Sequence, residues 1–183
     1  MFFLPKKPVA ELLDDNRFII WDISEARRIY NEGFYGKPLG NPRPKEDFNE
    51  PLLLDPVEVL YLVELGKIKV KKNNQSIGKK KLKALGEKTF SKFKKKYQVY
   101  VDLRERGYVV TPGIKYGCDF AVYEDGPGID HAPYVVQITD SDDELSAAEI
   151  VKNGRLATTV RKSFILAIIN KDIRYLEFNW WKA

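Results

Sequence analysis

The sequence predicts an α/β protein with mixed sheets, built as two domains in one chain. Segments with helical apolar spacing alternate with short strand-like runs along all 183 residues, which is typical of an α/β fold. Hydrophobic residues make up 44% of the chain and aromatic residues 13%, enough for packed cores. A polar, lysine-rich segment over residues 73–87 separates the two patterned halves. We therefore predict a small N-terminal α/β domain over residues 1–86 and a C-terminal mixed-sheet α/β domain over residues 87–183.

The N-terminal half begins with a strand and continues with two capped helices. The run Arg17–Trp21 predicts a short buried strand. Asp22 or Ser24 can cap the helix predicted over Glu25–Asn31. A second helix is predicted over Asp55–Leu65, because an aspartate cap is followed by proline at the first helical position and a glycine comes after the last turn.

A long loop and a lysine-bearing strand complete this half. Residues 33–51 contain several glycines and prolines and predict an irregular loop, which carries Lys37, Arg43 and Lys45. Residues 67–72 alternate apolar side chains with lysines, which predicts an edge strand. The polar segment that follows is interpreted as a linker between the domains.

The C-terminal half opens with a helix that Gly107 ends. One face of that helix is apolar and comprises Phe90, Phe93, Tyr97, Tyr100 and Val101. A capping box at Ser146–Glu149 starts the last helix, which is predicted to end at Lys162. The predicted strands are Tyr108–Val110, part of Gly113–Tyr123, Tyr134–Ile138, Phe164–Ile169 as a central strand covered on both faces, and Ile173–Trp181.

Charge and residue counts exclude several classes of protein. The net charge is only +5, but residues 67–96 hold thirteen lysines and one acid, a local field that suits a polyanion such as nucleic acid or, more commonly, marks a solvated surface. One cysteine and one histidine leave no internal disulfide and no Cys/His zinc site. No signal peptide or membrane span is evident in the sequence, so we expect a soluble, cytoplasmic protein without a membrane partner.

Three side chains are candidates for acid–base chemistry without a metal. Cleavage of an RNA phosphodiester by its own 2′-OH needs a base, an acid for the leaving oxygen and a cation at the phosphate. Histidine is the residue type that most often serves as a general acid, so His131 suits the acid, and Lys162 suits the cation. Tyr123 can act as the base if a nearby cation favours its phenolate. Taken singly, each also has an ordinary structural interpretation, as a loop, strand or helix-end residue.

Four segments together resemble the archaeal tRNA-splicing endonucleases. They are Arg106-Gly107-Tyr108, the run Gly113–Tyr123, the loop that ends at His131, and the segment from Arg155 to Lys162 with the apolar strand after it. The resemblance covers the second domain and implies a C-terminal nuclease-like domain behind an N-terminal α/β domain. It also implies that Tyr123, His131 and Lys162 are the catalytic residues, with no metal and no cofactor.

The resemblance further implies an RNA substrate and residues that bind it. The activity would be cleavage of precursor tRNA at bulge-helix-bulge junctions, leaving a 2′,3′-cyclic phosphate and a 5′-hydroxyl. Arg155 matches one of two side chains that clamp a bulged base, and Trp180 or Lys182 stands where the second is expected. Trp180 is equally well explained by strand packing. The loop with Lys37 and Lys45 is similar to loops of crenarchaeal members and is predicted to contact RNA.

Assembly with other subunits is a further implication of the resemblance. Family members form four-unit assemblies in which an acidic loop of one subunit docks into a basic cleft of another. The segment Asp140–Glu144 has four carboxylates in five residues, and Tyr175–Trp181 can form a pairing edge. We expect a heterotetramer with a separate structural subunit, or else a homotetramer.

Two other functions are compatible with parts of the sequence. A non-catalytic structural or RNA-binding subunit of the same assembly is the main alternative, and the complete Tyr, His and Lys set argues against it. A metal-dependent nuclease would need clustered carboxylates, and Asp119 has no acidic neighbour in the strand Tyr134–Ile138.

Overall fold

The computed structural model describes residues 7–41, 44 and 47–178. It divides into two compact units, and the boundary along the chain falls between Lys94 and Lys95. Both units are mixed α/β structures, which confirms the predicted fold class. In the described ranges, no helix is both long and apolar enough to cross a membrane.

The first unit contains a mixed sheet with the strand order β3-β4-β2-β1-β5-β6. Its strands are β1 (Val9–Leu12), β2 (Phe18–Ile20), β3 (Lys37–Pro38), β4 (Leu52–Leu54), β5 (Lys69–Lys72) and β6 (Gln75–Ile77). Its helices are α1 (Ile23–Asn31), α2 (Pro56–Glu64) and α3 (Lys79–Thr89). β1 and β5 are parallel and the other neighbours are antiparallel.

The predicted strand and helices of this unit are confirmed. β2 is buried at all three positions. The side chain of Asp22, not that of Ser24, accepts a hydrogen bond from the amide of Glu25 and caps α1. Asp55 caps α2 in a full capping box, in which the carboxylate of Glu58 accepts the amide of Asp55. The same carboxylate, only 2% exposed, accepts the amide of Gly36 and so ties the start of the long loop to α2.

Three expectations for the first unit are wrong. β5 is not an edge strand, because Asn73 and Asn74 both adopt positive φ, as a two-residue hairpin turn requires, and return the chain as β6. The segment 73–87 is not a linker, since it forms β6 and most of α3, where Leu82 is buried. The long loop is not wholly irregular, because β3 within it pairs with β4.

The second unit contains a five-stranded mixed sheet, counted over its described residues, with the order β11-β10-β9-β8-β7. Its strands are β7 (Val109–Pro112), β8 (Phe120–Tyr123), β9 (Tyr134–Asp140), β10 (Ser163–Ile169) and β11 (Ile173–Phe178). Its helices are α4 (Phe93–Glu105), most of which lies in this unit, and α5 (Ala147–Thr159). β9 and β10 are parallel and the other pairs are antiparallel.

The apolar patterns of this half predict its elements well, with shifts at their ends. Ser146 caps α5 in the predicted capping box, but the helix ends at Thr159 instead of Lys162. β10 is an interior strand as predicted, yet it is not covered equally on both faces, because Ile165 and Ile168 are only half-buried. Phe90 belongs to the end of α3 and not to α4.

Candidate active site

The topology of the second sheet brings the three predicted catalytic residues to one edge of the sheet, the side on which β9 and β10 begin and β8 ends. β9 and β10 run parallel with Tyr134 opposite Ser163, so their first residues lie at the same edge. β8 runs antiparallel to β9, which places the end of β8 at that edge too. Tyr123 is the last residue of β8, His131 precedes β9 by three residues and Lys162 immediately precedes β10. The fold therefore gathers residues that are far apart in sequence.

A helix-ending motif fixes the backbone of Lys162. The amide of Lys162 donates to the carbonyl of Ala157 (2.9 Å), and the amide of Arg161 donates to that of Thr158 (3.0 Å). Arg161 has φ of 55°, so this is the Schellman arrangement with a non-glycine residue in the left-handed position. The amide of Ser163 then donates to the carbonyl of Pro133 and joins β10 to the chain that enters β9.

The side chain of Lys162 is held by two neutral groups. Its ammonium donates a hydrogen bond to the backbone carbonyl of Ala132, the residue after His131. The same nitrogen lies 4.8 Å from the centre of the Tyr116 ring, within the range of a cation–π interaction. Neither partner carries a charge, so these contacts place the ammonium beside the His131 loop without neutralising it.

Asp130 shapes the loop that leads to His131. One of its carboxylate oxygens accepts the amide of Gly126 (2.8 Å), and the other accepts the amides of Glu124 (3.1 Å) and Asp125 (3.4 Å). These bonds close the segment between β8 and β9 onto its own backbone. His131 follows directly and is exposed, so its imidazole is open to a substrate.

Tyr123 differs from His131 in its surroundings. Its side chain is only 5% exposed, and its backbone position pairs with Val109 of β7. Burial limits the approach of a substrate to a small part of the phenol. The edge thus combines an open imidazole, an anchored ammonium and a largely covered phenol.

The predicted RNA-binding residues are spread over the chain. Arg155 is exposed on α5 of the second unit. Lys37 is exposed on β3 of the first unit. Lys45, Trp180 and Lys182 lie outside the described residues, as does Arg43.

Asp119, the one carboxylate considered for metal chemistry, has structural partners. It forms an ion pair with Lys96 (3.0 Å) and accepts the amide of Ile138 (2.8 Å). Among the described residues, no three His, Cys, Asp or Glu side chains are grouped as metal ligands would be. The neighbouring Cys118 is buried, and this burial raises the pKa of its thiol to about 11, so it is not a thiolate at neutral pH.

Two contributors to the site do not follow from the sequence patterns. Tyr116 lies in a short 3-10 turn, Ile114–Tyr116, and its contact with Lys162 depends on tertiary structure. Asp130 stands in a polar loop where any of three acids could have been the acceptor. The sequence signal for the turn is the pair Gly113 and Gly117 on either side of it.

Comparison with known proteins identifies the family. The profile described as tRNA intron endonuclease, N-terminal domain, matches residues 9–83, and the one described as tRNA intron endonuclease, catalytic C-terminal domain, matches residues 93–175. The chain therefore belongs to the tRNA intron endonuclease family, which confirms the resemblance found in the sequence.

Curated relatives named tRNA-splicing endonuclease are similar over nearly the whole chain. The protein from Sulfurisphaera tokodaii is 44% identical over 179 residues, covering 95% of this chain and 99% of the relative. The protein from Hyperthermus butylicus is 46% identical over 171 residues, covering 91% and 94%. One from Saccharolobus islandicus is 42% identical over 180 residues, covering 95% and 99%. The chain is thus a tRNA intron endonuclease of the kind found in crenarchaeotes, and cleavage of precursor tRNA is its general function.

Proposed function

We propose that this chain is a catalytic subunit that cuts precursor tRNA at bulge-helix-bulge intron–exon junctions without a metal ion. The observation that supports the proposal is that Tyr123, His131 and Lys162 have backbone positions at or next to strand ends on one edge of the second sheet, with the ammonium of Lys162 bound beside the His131 loop. The products are a 2′,3′-cyclic phosphate and a 5′-hydroxyl.

In the proposed reaction the 2′-OH attacks the adjacent phosphorus. Tyr123, as its phenolate, takes the proton of that hydroxyl and becomes a neutral phenol, while the new O–P bond forms and the bond to the 5′-oxygen breaks. His131, as the imidazolium, gives a proton to the departing 5′-oxygen and becomes neutral. Lys162 stabilises the negative charge that grows on the non-bridging oxygens, and its neutral partners leave its charge available for this role. All electrons and protons are accounted for by the RNA and these three groups.

Metal independence is supported by the partners of two carboxylates of the second unit. Asp119, immediately before β8, is engaged by Lys96 and a backbone amide, and Asp130, beside His131, by three backbone amides. A divalent cation at either carboxylate would compete with contacts that hold the second sheet or the His131 loop. The chemistry is therefore assigned to the protein side chains and the RNA 2′-OH.

Binding of the RNA is assigned to basic and aromatic residues outside the catalytic edge. Arg155 clamps one face of a bulged base, and Trp180 or Lys182 clamps the other. Lys37, Arg43 and Lys45 contact the RNA backbone from the long loop and widen the range of accepted substrates. Replacement of these three loop residues by alanine reduces the salt dependence of RNA binding, because each phosphate contact releases counterions. An unchanged salt slope would remove the loop from the binding surface.

The active enzyme is proposed to be a four-unit assembly, with a separate structural subunit as first choice and a homotetramer as second. β11 is an edge strand of the described sheet and can pair with a strand of another subunit, and Leu176 on it is 49% exposed, which leaves an apolar side chain for such a partner to cover. Asp142 and Glu144 of the acidic segment are exposed and can meet a basic cleft on another subunit. Sedimentation of the chain with and without a candidate partner tests this assembly.

A single 2′-deoxy substitution tests the proposed reaction. Two bulged RNAs that differ only at the 2′ position of the cut site are incubated with the assembled enzyme in excess EDTA. We expect the ribose substrate to be cut and the deoxy substrate to be bound but not cut. Equal cutting of both, or activity that EDTA removes and Mg²⁺ restores, would overturn the mechanism.

A further inference from the structure

We infer that Tyr116 is a positioning residue that holds the ammonium of Lys162 at the phosphate site through the face of its ring. The inference rests on the proposed catalytic role of Lys162. Its basis is the 4.8 Å distance between the Lys162 nitrogen and the Tyr116 ring centre, together with the bond from that nitrogen to the carbonyl of Ala132.

The chain around Tyr116 is built to hold the ring in place. The amide of Tyr116 donates to the carbonyl of Gly113 (2.8 Å) to form the 3-10 turn, which Gly117 ends at φ of 68°. A side chain on Gly113 would come within 2.7 Å of the Phe120 backbone, so the turn lies directly against β8. The thiol of Cys118 donates to the Tyr116 carbonyl (3.5 Å).

The body of the Tyr116 side chain packs on the core beneath the site. This core cluster consists of Cys118, Val135, Ala157, Phe164 and Leu166. Tyr116 itself is half-buried, so one part of the side chain is anchored while the ring remains able to meet the ammonium. The ring is therefore a fixed platform and not a mobile surface group.

Two contacts position the ammonium where one would leave it free to swing. A lysine side chain has four rotatable bonds, and fixing it costs rotamer entropy. One hydrogen bond to a carbonyl restrains the nitrogen but allows rotation around that bond. The ring restrains it from a second direction and, unlike a carboxylate, does not neutralise its charge. An ammonium has three donors, so donors remain for phosphate oxygens.

A purely structural role for Tyr116, as an apolar cover for the core cluster, makes a different prediction. It would depend on the shape and apolar area of the side chain and not on the electron density of the ring. Fluorination separates the two, since it withdraws electrons from the ring face with little change of shape. The cation–π contact weakens with each added fluorine, while the packing is retained.

The experiment compares phenylalanine and its mono-, di- and trifluoro forms at position 116. Cleavage of a bulged precursor tRNA is measured at saturating RNA, and KM is measured separately. We expect Tyr116→Phe to keep the parent rate within about twofold, since the ring face is retained. The maximal rate should then fall stepwise by a total of about 5–30-fold across the fluorine series, the effect of losing one cation–π contact, with KM within about twofold.

The control is the same fluorine series at Phe164, which lies in the same core cluster and packs its ring against Phe178. That series should leave the rate unchanged. A rate that is flat across the series at position 116, or that falls equally at both positions, would overturn the positioning role. Lys162→Ala is measured alongside: full activity of that variant would instead refute the catalytic role of Lys162 in the proposed function. The fluorine series keeps the shape of the side chain, so its outcome does not depend on a destabilised variant.

Discussion

The two ends of the sheet in the second unit hold their charged residues in opposite ways. At the starts of β9 and β10, the ammonium of Lys162 is bound by a carbonyl and an aromatic ring, both neutral. At the far end of β9, Asp140 is paired with the ammonium of Lys95, and Asp143 accepts from the Thr139 hydroxyl and the Asp140 amide. A charge whose partners are neutral remains available to attract a charged substrate, whereas a charge in an ion pair mainly stabilises the fold.

The largest effect that this comparison predicts is the loss of His131. The imidazole is exposed at the end of a loop whose shape depends on Asp130, so its removal should take away the proposed acid without disturbing packing. His131→Ala should reduce the rate of cleavage by about 10²–10⁴-fold and leave RNA binding within about twofold. Single-turnover cleavage and filter binding of a bulged RNA check this. Parental cleavage would show that the acid lies elsewhere.

Lysine substitutions at the two ends of the sheet test the comparison itself. Lys162→Ala should lower the cleavage rate by about 10²–10³-fold, because the charge on the non-bridging oxygens loses its cation. Lys95→Ala, made in the same unit, should lower the free energy of unfolding by about 1 kcal/mol and leave the rate near that of the parent. Denaturant titration and cleavage are measured on both variants. Equal effects on catalysis would mean that the two lysines are not distinguished by their partners.

The acidic segment Asp140–Glu144 contains both residues that stabilise the fold and residues that are available to a partner. Asp142, Asp143 and Glu144 are all exposed, but Asp143 also accepts hydrogen bonds from the Thr139 hydroxyl and the Asp140 amide and so stabilises the loop. Reversal of Asp142 and Glu144 to lysine should weaken subunit assembly at least about tenfold without a change in circular dichroism. Asp143→Asn should instead lower stability by about 1–2 kcal/mol. Sedimentation velocity across a range of concentrations measures the first, and an unchanged assembly constant would exclude this segment as the docking loop.

The acidic segment also shows which features can be predicted from the sequence and which cannot. From its four carboxylates we expect a basic cleft of another subunit as the partner. The structure shows that one of the four has a partner within the same unit, because α4 brings Lys95 to Asp140. Capping boxes and apolar periods were predictable because they depend on neighbours in sequence. Ion pairs across a sheet depend on topology, which local patterns do not contain.

The active site likewise contains some residues that the sequence predicts and others that only the structure reveals. Tyr123, His131 and Lys162 could be proposed from their residue types and from the resemblance, and the strand order explains why they share an edge. Tyr116 and the Ala132 carbonyl could not be proposed, because their role is a contact with a side chain more than 25 residues away. The hairpin turn at Asn73 and Asn74 was a missed local signal, since asparagine tolerates positive φ.

A smaller effect concerns the pH dependence of stability through Cys118. Burial raises the pKa of this thiol from its usual value near 9 to about 11. The unfolded chain therefore loses the proton first, and the contribution of Cys118 to the free energy of unfolding, reduced by solvent screening, should fall by about 1–2 kcal/mol as pH rises from 9 to 11. Below pH 9 this contribution is fully present. Cys118→Ala should show a flatter profile over that interval; identical profiles for parent and variant would contradict the assignment.

The smallest predicted effect is a gain in stability at the end of α5. Arg161 occupies the left-handed region of backbone conformation at φ of 55°, which is unfavourable for most residues other than glycine. Arg161→Gly should raise the free energy of unfolding by up to about 1 kcal/mol, with the hydrogen bonds that fix the Lys162 backbone retained. Thermal denaturation measures it. A loss of stability would mean that the arginine side chain outweighs its backbone strain.

The central claim is that RNA is cut by its own 2′-OH with Tyr123, His131 and Lys162 as the only catalysts. The most direct measurement is the mass of the two fragments produced from a bulged precursor tRNA by the assembled enzyme in excess EDTA. The account predicts a 5′ fragment that ends in a 2′,3′-cyclic phosphate and a 3′ fragment that begins with a 5′-hydroxyl. A 3′-hydroxyl with a 5′-phosphate would show that water, and not the 2′-OH, attacks the phosphorus, and it would contradict the account.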